Sequence, residues 1–412
     1  MQGQIMNLHL KNVVIFQPNS PYHLQTVDIC IKNGYIDAIG TELKPDSSTE
    51  IKDYAGAYLS LGWIDTHLPL TFPGDERRET LPTLCNAAKA GGYTDVICLP
   101  TKLSPIDTPE SLISLKSQTQ SYPVHFHFVA AVTENLEGKE LTELGLLAKA
   151  GAIAFSNGHF PITDPSLLIR VLQYIQQFDL PFIIHPHLPS FNVGQVHDSR
   201  IALELGFKGI PSIAETLTIV QTLEILKYVR AQVHFSPVTT IEGWNLVQHA
   251  QNNGYRITAD ISSNYLHFED KDCLDFNTLH KVFPPYRDVQ NRNELVKFAK
   301  NFHGVASLHT PVITEDKLLE FSLAEPGIIH LQTSVPLMAK YLPLEQLIPL
   351  ITEKPSTIFP CLQRKLEIGQ KACFTIFKQE KWIFDKNVNL SLSNNSPFFG
   401  YHFEIKVLDT II

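Results

Sequence analysis

Apolar residues recur along the middle of the chain in short runs that alternate with longer segments of helical period. Eight such runs can be read: GWID (62–65), TDVICLP (94–100), HFHFVAAV (125–132), AIAF (152–155), PFIIH (181–185), QVHFS (232–236), RITADIS (256–262) and GVASLH (304–309). The helical segments between them include LPTLCNAAKA, SLLIRVLQYIQQ, AETLTIVQTLEILKYVRA, IEGWNLVQHAQ and RNELVKFAKNF. Eight strand and helix pairs over about 250 residues predict an α/β fold, a (β/α)8 TIM-type barrel. An open doubly wound sheet is the alternative.

The two ends of the chain show a different pattern. NLHLKNVVIF and TVDICIKNGYIDAIG precede the barrel pattern, and KACFTIFKQEKWIF and FEIKVLD follow it. These segments alternate or are rich in β-branched residues, with turn residues between them, which is typical of a small β-sheet. We therefore predict a composite β-domain from residues 1–58 and 358–412, and a barrel from residues 59–357.

Composition narrows the possible functions. The chain has 412 residues and a formal net charge of -9, which argues against a general nucleic-acid binder because phosphate contacts need a basic surface. No stretch approaches the ~20 apolar residues of a membrane span, and the N-terminus has no signal-peptide pattern. Six cysteines without C-x-x-C spacing suit a reducing compartment, so a cytoplasmic location is expected.

Candidate chemistry lies where the predicted strands end, because barrels of this type carry their working residues at the C-terminal ends of the strands. Histidine occurs at three of these ends: His67 after the first run, His185 and His187 after the fifth, and His309 after the eighth. Imidazole is the commonest protein ligand of catalytic metals, so these positions are candidates for a metal site.

Several longer motifs carry a family resemblance. GWIDTH followed by PG, then ETLPTLCNAAKAGGYTDVICLP, PGIIHLQTSVPL (326–337) and NSPFFG (395–400), resemble the dihydroorotases of the cyclic amidohydrolase superfamily along essentially the whole chain. The resemblance implies a (β/α)8 barrel and a hydrolase of pyrimidine biosynthesis. Active members use metal-bound hydroxide, usually on zinc, for the reversible ring opening of dihydroorotate to carbamoyl aspartate.

The ligand positions that the resemblance implies are only partly filled. Two of the six fall on histidine, at His67 and His185. The other four fall on residues without an imidazole or a charge: Pro69, Asn157, Pro237 and Leu308. Leu308 stands where the family has an aspartate that is both ligand and proton acceptor. Two histidines are too few for a tight zinc site. Since the family's proton acceptor is also missing, at Leu308, no catalytic residue is assigned.

At the positions that the resemblance assigns to substrate binding, this chain also differs from the family. Thr71 stands in place of an arginine that pairs with the substrate carboxylate, and Thr101 in place of an asparagine. A hydroxyl cannot replace a bidentate guanidinium. His309 matches a substrate-contacting histidine, and Pro284, Pro285 and Arg287 match a Pro-Pro-x-Arg segment. His309, Thr71 and Thr101 are therefore predicted as the remnant of a substrate pocket.

Other polar clusters leave alternatives open. A relocated metal site could use four imidazoles, from His67, His185, His187 and His309, and the competing interpretation is that these histidines fill a former pocket. His125 and His127 alternate on the third strand and are expected to be hydrogen-bonded core or helix-facing residues. The charge run from Asp75 to Glu79 is expected to form an exposed loop ahead of a helix.

Two hypotheses of different classes follow. The first is a pseudoenzyme: a non-catalytic dihydroorotase homologue without tightly bound metal, a homo-oligomer that acts as a structural partner of aspartate transcarbamoylase, as degenerate dihydroorotases do. The second is an active metal-dependent amidohydrolase, a dihydroorotase with an altered metal site, for which zinc is the implied cofactor.

Overall fold

The computed structural model describes residues 7–44 and 49–412, and it contains two large sheets. The strands are β1 (Leu8–Ile15), β2 (Thr26–Lys32), β3 (Tyr35–Gly40), β4 (Glu50–Asp53), β5 (Tyr58–Leu61), β6 (Trp63–Pro69), β7 (Tyr93–Leu99), β8 (His125–Ala131), β9 (Ala154–Ser156), β10 (Phe182–Ile184), β11 (Val196–His197), β12 (Gly209–Ile210), β13 (Val233–Phe235), β14 (Ile257–Ala259), β15 (Phe374–Phe384) and β16 (Tyr401–Ile411).

The α-helices lie mostly between the strands of the middle region. They are α1 (Leu81–Ala90), α2 (Pro109–Thr119), α3 (Leu144–Ala150), α4 (Pro165–Ile175), α5 (Arg200–Leu205), α6 (Ile213–Leu226), α7 (Ile241–Asn252), α8 (Asn264–His267), α9 (Val289–Phe298), α10 (Thr314–Lys317), α11 (Ser334–Met338), α12 (Leu344–Ile351) and α13 (Glu353–Ile358). No helix in this described part of the chain is both long and apolar enough to cross a bilayer.

The middle of the chain forms a curled parallel sheet in the order β14-β13-β10-β9-β8-β7-β6. Each pair of neighbours in this sheet is parallel. β6 and β7 are buried along their whole length, as expected for strands covered on both faces. The predicted barrel architecture is confirmed, and the first seven apolar runs each supply one strand of it.

The eighth apolar run differs from the prediction of a strand. Val305 forms a single parallel bridge to Ile261, and the backbone N–H of Leu308 donates to the carbonyl of His67 at 3.2 Å. The run leaves the extended conformation at Leu308, which has φ +49. One residue earlier, the backbone N–H of Ser307 donates to the Asp65 carboxylate at 2.7 Å. These contacts connect the last run to β6 and so bring the two edges of the curled sheet together.

Helix α1 shows how local sequence sets the ends of an element. The Thr80 side chain accepts a hydrogen bond from the Thr83 backbone N–H, and Pro82 occupies the first turn, where a missing N–H costs nothing. Beyond the helix, Gly92 has φ +89, and a Cβ there would lie 2.4 Å from the Trp63 ring. Glycine is therefore required at 92 both by its backbone conformation and by the packing of the helix end against β6.

The ends of the chain meet in the second large sheet. Its strand order is β16-β15-β5-β1-β2-β3, and β4 pairs with β1. The two C-terminal strands join the N-terminal ones through antiparallel pairing of β15 with β5. Its inner face packs around residues such as Leu10, Ile29 and Phe374. The boundaries at 58/59 and 357/358 stay predictions, and residues 1–6 and 45–48 lie outside the described residues.

Candidate functional site

Polar side chains from several strands meet at the C-terminal end of the curled sheet. His67 lies near the end of β6, Asn157 follows β9, His185 follows β10 and Ser236 follows β13. Because the strands are parallel, their C-terminal ends lie on one side of the barrel. We call this end the mouth. The sequence-predicted positions His67 and His185 are brought into one neighbourhood there by His159, a residue that was not predicted.

A hydrogen-bond network of buried side chains fixes the His67 ring. Ser236 Oγ donates to Asp260 Oδ1 at 2.6 Å, and His67 Nδ1 lies 2.6 Å from the same Ser236 oxygen. The carboxylate of Asp260 also accepts from Thr66 Oγ1 at 2.6 Å and from His234 Nε2 at 3.0 Å. Because the single Ser236 hydrogen goes to a carboxylate that can only accept, His67 Nδ1 must carry the proton.

The lone pair of His67 is therefore on Nε2, and it faces His159. His159 Nε2 lies 3.4 Å from His67 Nε2, so His159 is the donor in this contact. The His159 ring stacks on His185, with ring centres 4.7 Å apart and planes 22° apart. His185 Nδ1 donates to the Ser236 carbonyl at 3.4 Å, and His185 Nε2 is buried without a partner. The three imidazoles form a packed, uncharged group.

Burial keeps these imidazoles neutral. It lowers the pKa of His67 to about 3 and the pKa of His159 to about 4, and it holds the pKa of His185 well below its usual value. Burial would raise the pKa of Asp260, but the neighbouring His234 and the hydrogen bond from Ser236 keep it below the usual value. A general base works best when its pKa is near the operating pH, so these histidines are weak candidates for proton abstraction.

The four non-histidine ligand positions are occupied by structural contacts. Asn157 Oδ1 accepts from Thr133 Oγ1 at 2.6 Å, and its Nδ2 donates to the Phe160 carbonyl at 2.6 Å. Pro69 is the last residue of β6, and it offers no side-chain lone pair. Pro237 and Leu308 line a cavity described below. The amide of Asn157 thus holds the loop after β9 instead of pointing a free oxygen at a metal.

The structure does not assemble the four imidazoles of a relocated metal site. His309 Nδ1 accepts the His330 backbone N–H at 3.0 Å, and its Nε2 lies 3.3 Å from a Glu79 carboxylate oxygen. His187 Nε2 hydrogen bonds to Asn192 Oδ1, while its Nδ1 is buried without a partner. His309 is therefore tied to partners of its own, whereas the His187 ring lies beside His185, with ring centres 6.2 Å apart.

The remaining predicted pocket residues are likewise engaged in the scaffold. Thr101 Oγ1 donates to the Leu70 carbonyl at 2.6 Å, and Thr71 is largely buried. Arg287 is buried: its Nε and Nη2 donate to Thr239 Oγ1 at 3.2 and 3.1 Å, and Nη2 lies 3.7 Å from Glu215. A buried guanidinium held in this way supports the fold.

One prediction about the charge run is wrong. Glu79 was expected in an exposed loop, but its side chain is fully buried. It accepts from the Leu392 backbone N–H at 3.0 Å, from Ser391 and Thr83 hydroxyls, and contacts His309. The sequence pattern failed here because the donors come from a C-terminal segment that is distant in sequence and close only in the folded chain.

Zinc does not fit the residues at the mouth. A zinc ion bound at about 2.0–2.1 Å to tetrahedral nitrogens needs ligand atoms about 3.4 Å apart. Within residues 7–44 and 49–412, one group of three metal-type side chains has its donor atoms within 4.8 Å of one another, and it is Asp95, His125 and Cys373, away from the mouth. His67 Nε2 and His159 Nε2 have this spacing, at 3.4 Å, but His185 does not complete a group of three with them, so the mouth offers fewer converging ligands than a zinc site needs.

The group of Asp95, His125 and Cys373 lies at the opposite end of the strands and is also a poor cation site. Arg364 donates two hydrogen bonds to the Asp95 carboxylate, and His127 Nε2 lies 2.7 Å from it. Burial raises the pKa of the Cys373 thiol to about 12, whereas a zinc ligand must be the thiolate. The Asp95 carboxylate is therefore already bound by side chains of the protein itself, those of Arg364 and His127.

A cavity of about 220 Å³ lies beside His159, which is one of its lining residues. Pro237, Phe283, Leu308 and Ile328 contribute apolar surface to it, together with polar side chains. We call it the mouth cavity. Two of the positions that the resemblance singled out, Pro237 and Leu308, line it.

Sequence reasoning identified the strand ends but missed four residues that organise this region: His159, Asp260, His234 and Glu79. His159 lies two residues after Asn157, so its proximity could have been read from the strand end. Asp260 lies inside RITADIS (256–262), where the alternation of side chains between the two faces of a strand would have directed it toward the barrel interior. The contact between His159 and His67 depends on the turn after β9, and no sequence pattern signals it.

The chain is similar in sequence to known dihydroorotases. A family model described as "Dihydro-orotase-like" matches residues 56–243. A dihydroorotase of Syntrophus aciditrophicus is 31% identical over 400 residues, covering 94% of this chain and 93% of the relative. A dihydroorotase of Acetivibrio thermocellus is 30% identical over 400 residues, with the same shares of each chain.

Similar folds are found among solved structures. The L-hydantoinase (dihydropyrimidinase) of Arthrobacter aurescens superposes with a TM-score of 0.86 at 22% identity, covering 98% of this chain and 94% of that one. A D-hydantoinase (dihydropyrimidinase) of a Thermus species gives a TM-score of 0.84 at 18% identity, with the same coverage. At this identity the likeness concerns the fold.

Proposed function

This chain belongs to the dihydroorotase-like family of cyclic amidohydrolases, and from that premise we propose that it is a non-catalytic member whose barrel acts as a structural partner of aspartate transcarbamoylase in pyrimidine biosynthesis. The observation that carries the non-catalytic part is the incomplete set of ligands around His67. Its Nε2 lies 3.4 Å from His159 Nε2, but among the described residues no group of three metal-type side chains with converging donor atoms includes this pair.

The absence of a suitable base supports the same proposal. Leu308 stands at the position where the family places its aspartate, and it contributes an apolar surface to the mouth cavity. Burial lowers the pKa of His159, which also lines this cavity, to about 4. Asp65 has a pKa raised to about 7 by burial, but its carboxylate is fully enclosed and bonded to Ser307. It cannot reach a substrate in the cavity.

We expect the purified protein to hold far less than one zinc per chain and to release no carbamoyl aspartate from dihydroorotate. Metal analysis after dialysis against zinc, together with a hydrolysis assay at pH 7 to 8, measures both quantities. A dihydroorotase with the complete ligand set serves as the positive control. Near-stoichiometric zinc and a turnover that disappears in a His67→Ala variant would instead establish the second candidate, an active amidohydrolase with an altered metal site.

The surface that we propose for the partner lies on three short segments, two of which include the helices α5 and α10. Residues 200–207, 273–278 and 314–323 pack around a small apolar cluster that contains Cys273 and Phe321. On their outer side they expose large apolar side chains, which we call the loop patch: Leu203, Leu274, Phe276, Leu318, Leu319 and Leu323. Leu203 and Leu318 are about four-fifths exposed, at 81% and 79%. Apolar groups concentrated in this way mark interaction surfaces.

The partnership is tested by co-expression with the aspartate transcarbamoylase of the same cell and size-exclusion chromatography at micromolar concentration. We expect the two proteins to elute together. A double substitution in the loop patch, Leu318→Glu with Leu323→Glu, is expected to separate them, because two charges would be desolvated in the interface. Ile368→Glu, at an exposed apolar residue outside the patch, is the matched control. Separate elution of the unmodified proteins would refute the partnership.

A further inference from the structure

A thiol, an imidazole and a carboxylate lie side by side on one face of the second large sheet. Cys30 of β2 is directly opposite His9 of β1 in the antiparallel register, so their side chains project from the same face. Asp28 lies two residues before Cys30 on the same strand and therefore shares that face. The mouth histidines follow strands of the curled sheet, so this group belongs to a different part of the fold.

The atoms of this group are arranged in an order that suits activation of the thiol. Cys30 Sγ lies 3.8 Å from His9 Nδ1, and His9 Nε2 lies 3.3 Å from Asp28 Oδ2. The Asp28 carboxylate is fixed in turn by the backbone N–H groups of Asn12, at 3.0 Å, and Leu43, at 3.3 Å. A nucleophile beside a base that a third group orients is the arrangement of activated cysteine nucleophiles. We call Cys30, His9 and Asp28 the Cys30 triad.

Burial differs within the Cys30 triad in the way that a reaction with a dissolved molecule requires. His9 and Asp28 are 1% and 4% exposed, so bulk water screens their contact only weakly. His9 Nε2 is buried and forms no hydrogen bond with the described residues, so a positive charge on the ring depends on the Asp28 carboxylate for compensation. Cys30 is only partly buried, and of the three residues it is the one that solvent reaches.

The other five cysteines are in environments that oppose thiolate formation. Four of them are buried: Cys85, Cys98, Cys273 and Cys373. Burial raises the pKa of each of these thiols, and it raises the pKa of Cys273 and of Cys373 to about 12. Cys361 is exposed, but desolvation of its thiol and the nearby Asp95 carboxylate raise its pKa as well. Since the thiolate is the nucleophile, Cys30 is the cysteine that we expect to react first.

We propose that Cys30 is a modification site at which a small-molecule disulfide of the glutathione type forms a reversible mixed disulfide with the protein. His9 Nδ1 takes the thiol proton, and the Cys30 thiolate attacks one sulfur of the reagent. An S–S bond forms at Cys30 while the S–S bond of the reagent breaks, and the leaving thiolate receives the proton from His9. The Cys30 sulfur is oxidised and the leaving sulfur is reduced, so the disulfide is the only oxidant needed.

The reaction is tested on the folded full-length protein with oxidised glutathione at pH 6, and peptide mass spectrometry measures the modification of each cysteine. At this pH an ordinary thiol is only about 0.3% thiolate. The imidazolium favours the thiolate, and its lower basicity offsets only part of this gain, so we expect Cys30 to react about tenfold faster than in the urea-unfolded chain. Cys361, the internal control, should react more slowly than in the unfolded chain. A Cys30 rate no higher than in the unfolded chain overturns the proposal.

Two variants connect the reactivity to the partners of the thiol. Asp28→Asn keeps an acceptor for the Asn12 backbone N–H but removes the charge, so the rate at Cys30 should fall about threefold or more. His9→Gln removes the imidazole and should abolish the acceleration over the unfolded chain. His402→Gln, at an exposed histidine of β16, is the matched control and should leave the rate unchanged.

Thermal melting shows whether each variant is folded, and an unaltered rate at Cys30 in folded His9→Gln overturns the proposal. Where a variant does not fold, the comparison of the folded and unfolded forms of the unsubstituted chain still decides the case. Dithiothreitol should release the glutathione and restore the free thiol, because the modification is a disulfide. The inference is independent of the proposed function, since it concerns neither the barrel mouth nor the loop patch.

Discussion

The protein is expected to lose at least about 3 kcal/mol of its free energy of unfolding when the pH falls from 7 to 5. The cause is a set of imidazoles that are neutral in the fold. His67, His185 and His330 are each 2% exposed or less. Burial lowers the pKa of His67 and of His330 to about 3, and lowers that of His185 strongly as well.

The sign follows from proton uptake. Between pH 6.5 and pH 4 the unfolded chain protonates these three histidines while the folded chain does not, so stability is complete above the unfolded pKa of about 6.5 and falls as the pH drops. Asp65 acts in the opposite direction, because burial raises its pKa to about 7 and the folded state holds the extra proton. Near pH 5 the unfolded chain therefore binds three more protons at the histidines and one fewer at Asp65, a net difference of two. The free energy of unfolding then changes by about 2.7 kcal/mol per pH unit.

Urea unfolding followed by tryptophan fluorescence at several values between pH 8 and pH 5 measures this slope. His185→Leu removes one titrating group, whose ring makes one long hydrogen bond, and should reduce the slope by about 1.4 kcal/mol per pH unit. His402→Leu, at an exposed histidine, is the matched control and should leave the slope unchanged. A stability that is constant from pH 7 to pH 5 contradicts the prediction.

The acid-sensitive group also shows which parts of the site the sequence could reveal. The apolar runs and their spacing predicted the curled sheet, because burial on both faces imposes near-continuous apolar strands. The inability of Pro69, Pro237 and Leu308 to bind a metal could be read directly, since those side chains have no lone pair or charge in any conformation. Residue type alone was therefore informative wherever it removed a chemical capability.

Contacts between distant segments could not be read in the same way. Whether His67 keeps a free lone pair depends on His159 in a turn after another strand. Arg287 was read only as part of a Pro-Pro-x-Arg match, and its position beside Glu215 could not be read from that motif. Glu79 belonged to a charge run that was expected to be exposed, but Ser391 and Leu392, more than 300 positions away, supply two of its donors. Each of these depends on tertiary packing, which residue patterns do not encode locally.

The Asp95 substitution to alanine should destabilise the fold by about 3–5 kcal/mol, the largest effect that we expect from a single change. Asp95 has no exposed surface, and it accepts two hydrogen bonds from Arg364 and one from His127 at 2.7 Å. Burial would raise the pKa of Asp95, but these donors hold it below its usual value. Removing the carboxylate leaves the Arg364 guanidinium, whose side chain is 21% exposed, without its counter-charge.

The position of this pair explains why the effect should spread through the molecule. Asp95 lies in β7 of the barrel, whereas Arg364 lies in the segment that leads from α13 to β15 of the second sheet. The ion pair therefore ties the barrel to the chain that enters the terminal sheet. The structure places Phe374, the first residue of β15, opposite Leu61 of β5, so a shift of this segment would disturb the pairing between the two ends of the chain.

A double-mutant cycle separates the pair from the general cost of each substitution. Asp95→Ala, Arg364→Leu and the double variant are unfolded in urea, and the double variant should be less destabilised than the sum of the single ones, because it leaves no uncompensated buried charge. Glu137→Ala, which breaks the exposed pair with Lys139, should leave the unfolding midpoint unchanged. Strict additivity of the two single effects would show that Asp95 and Arg364 do not stabilise each other.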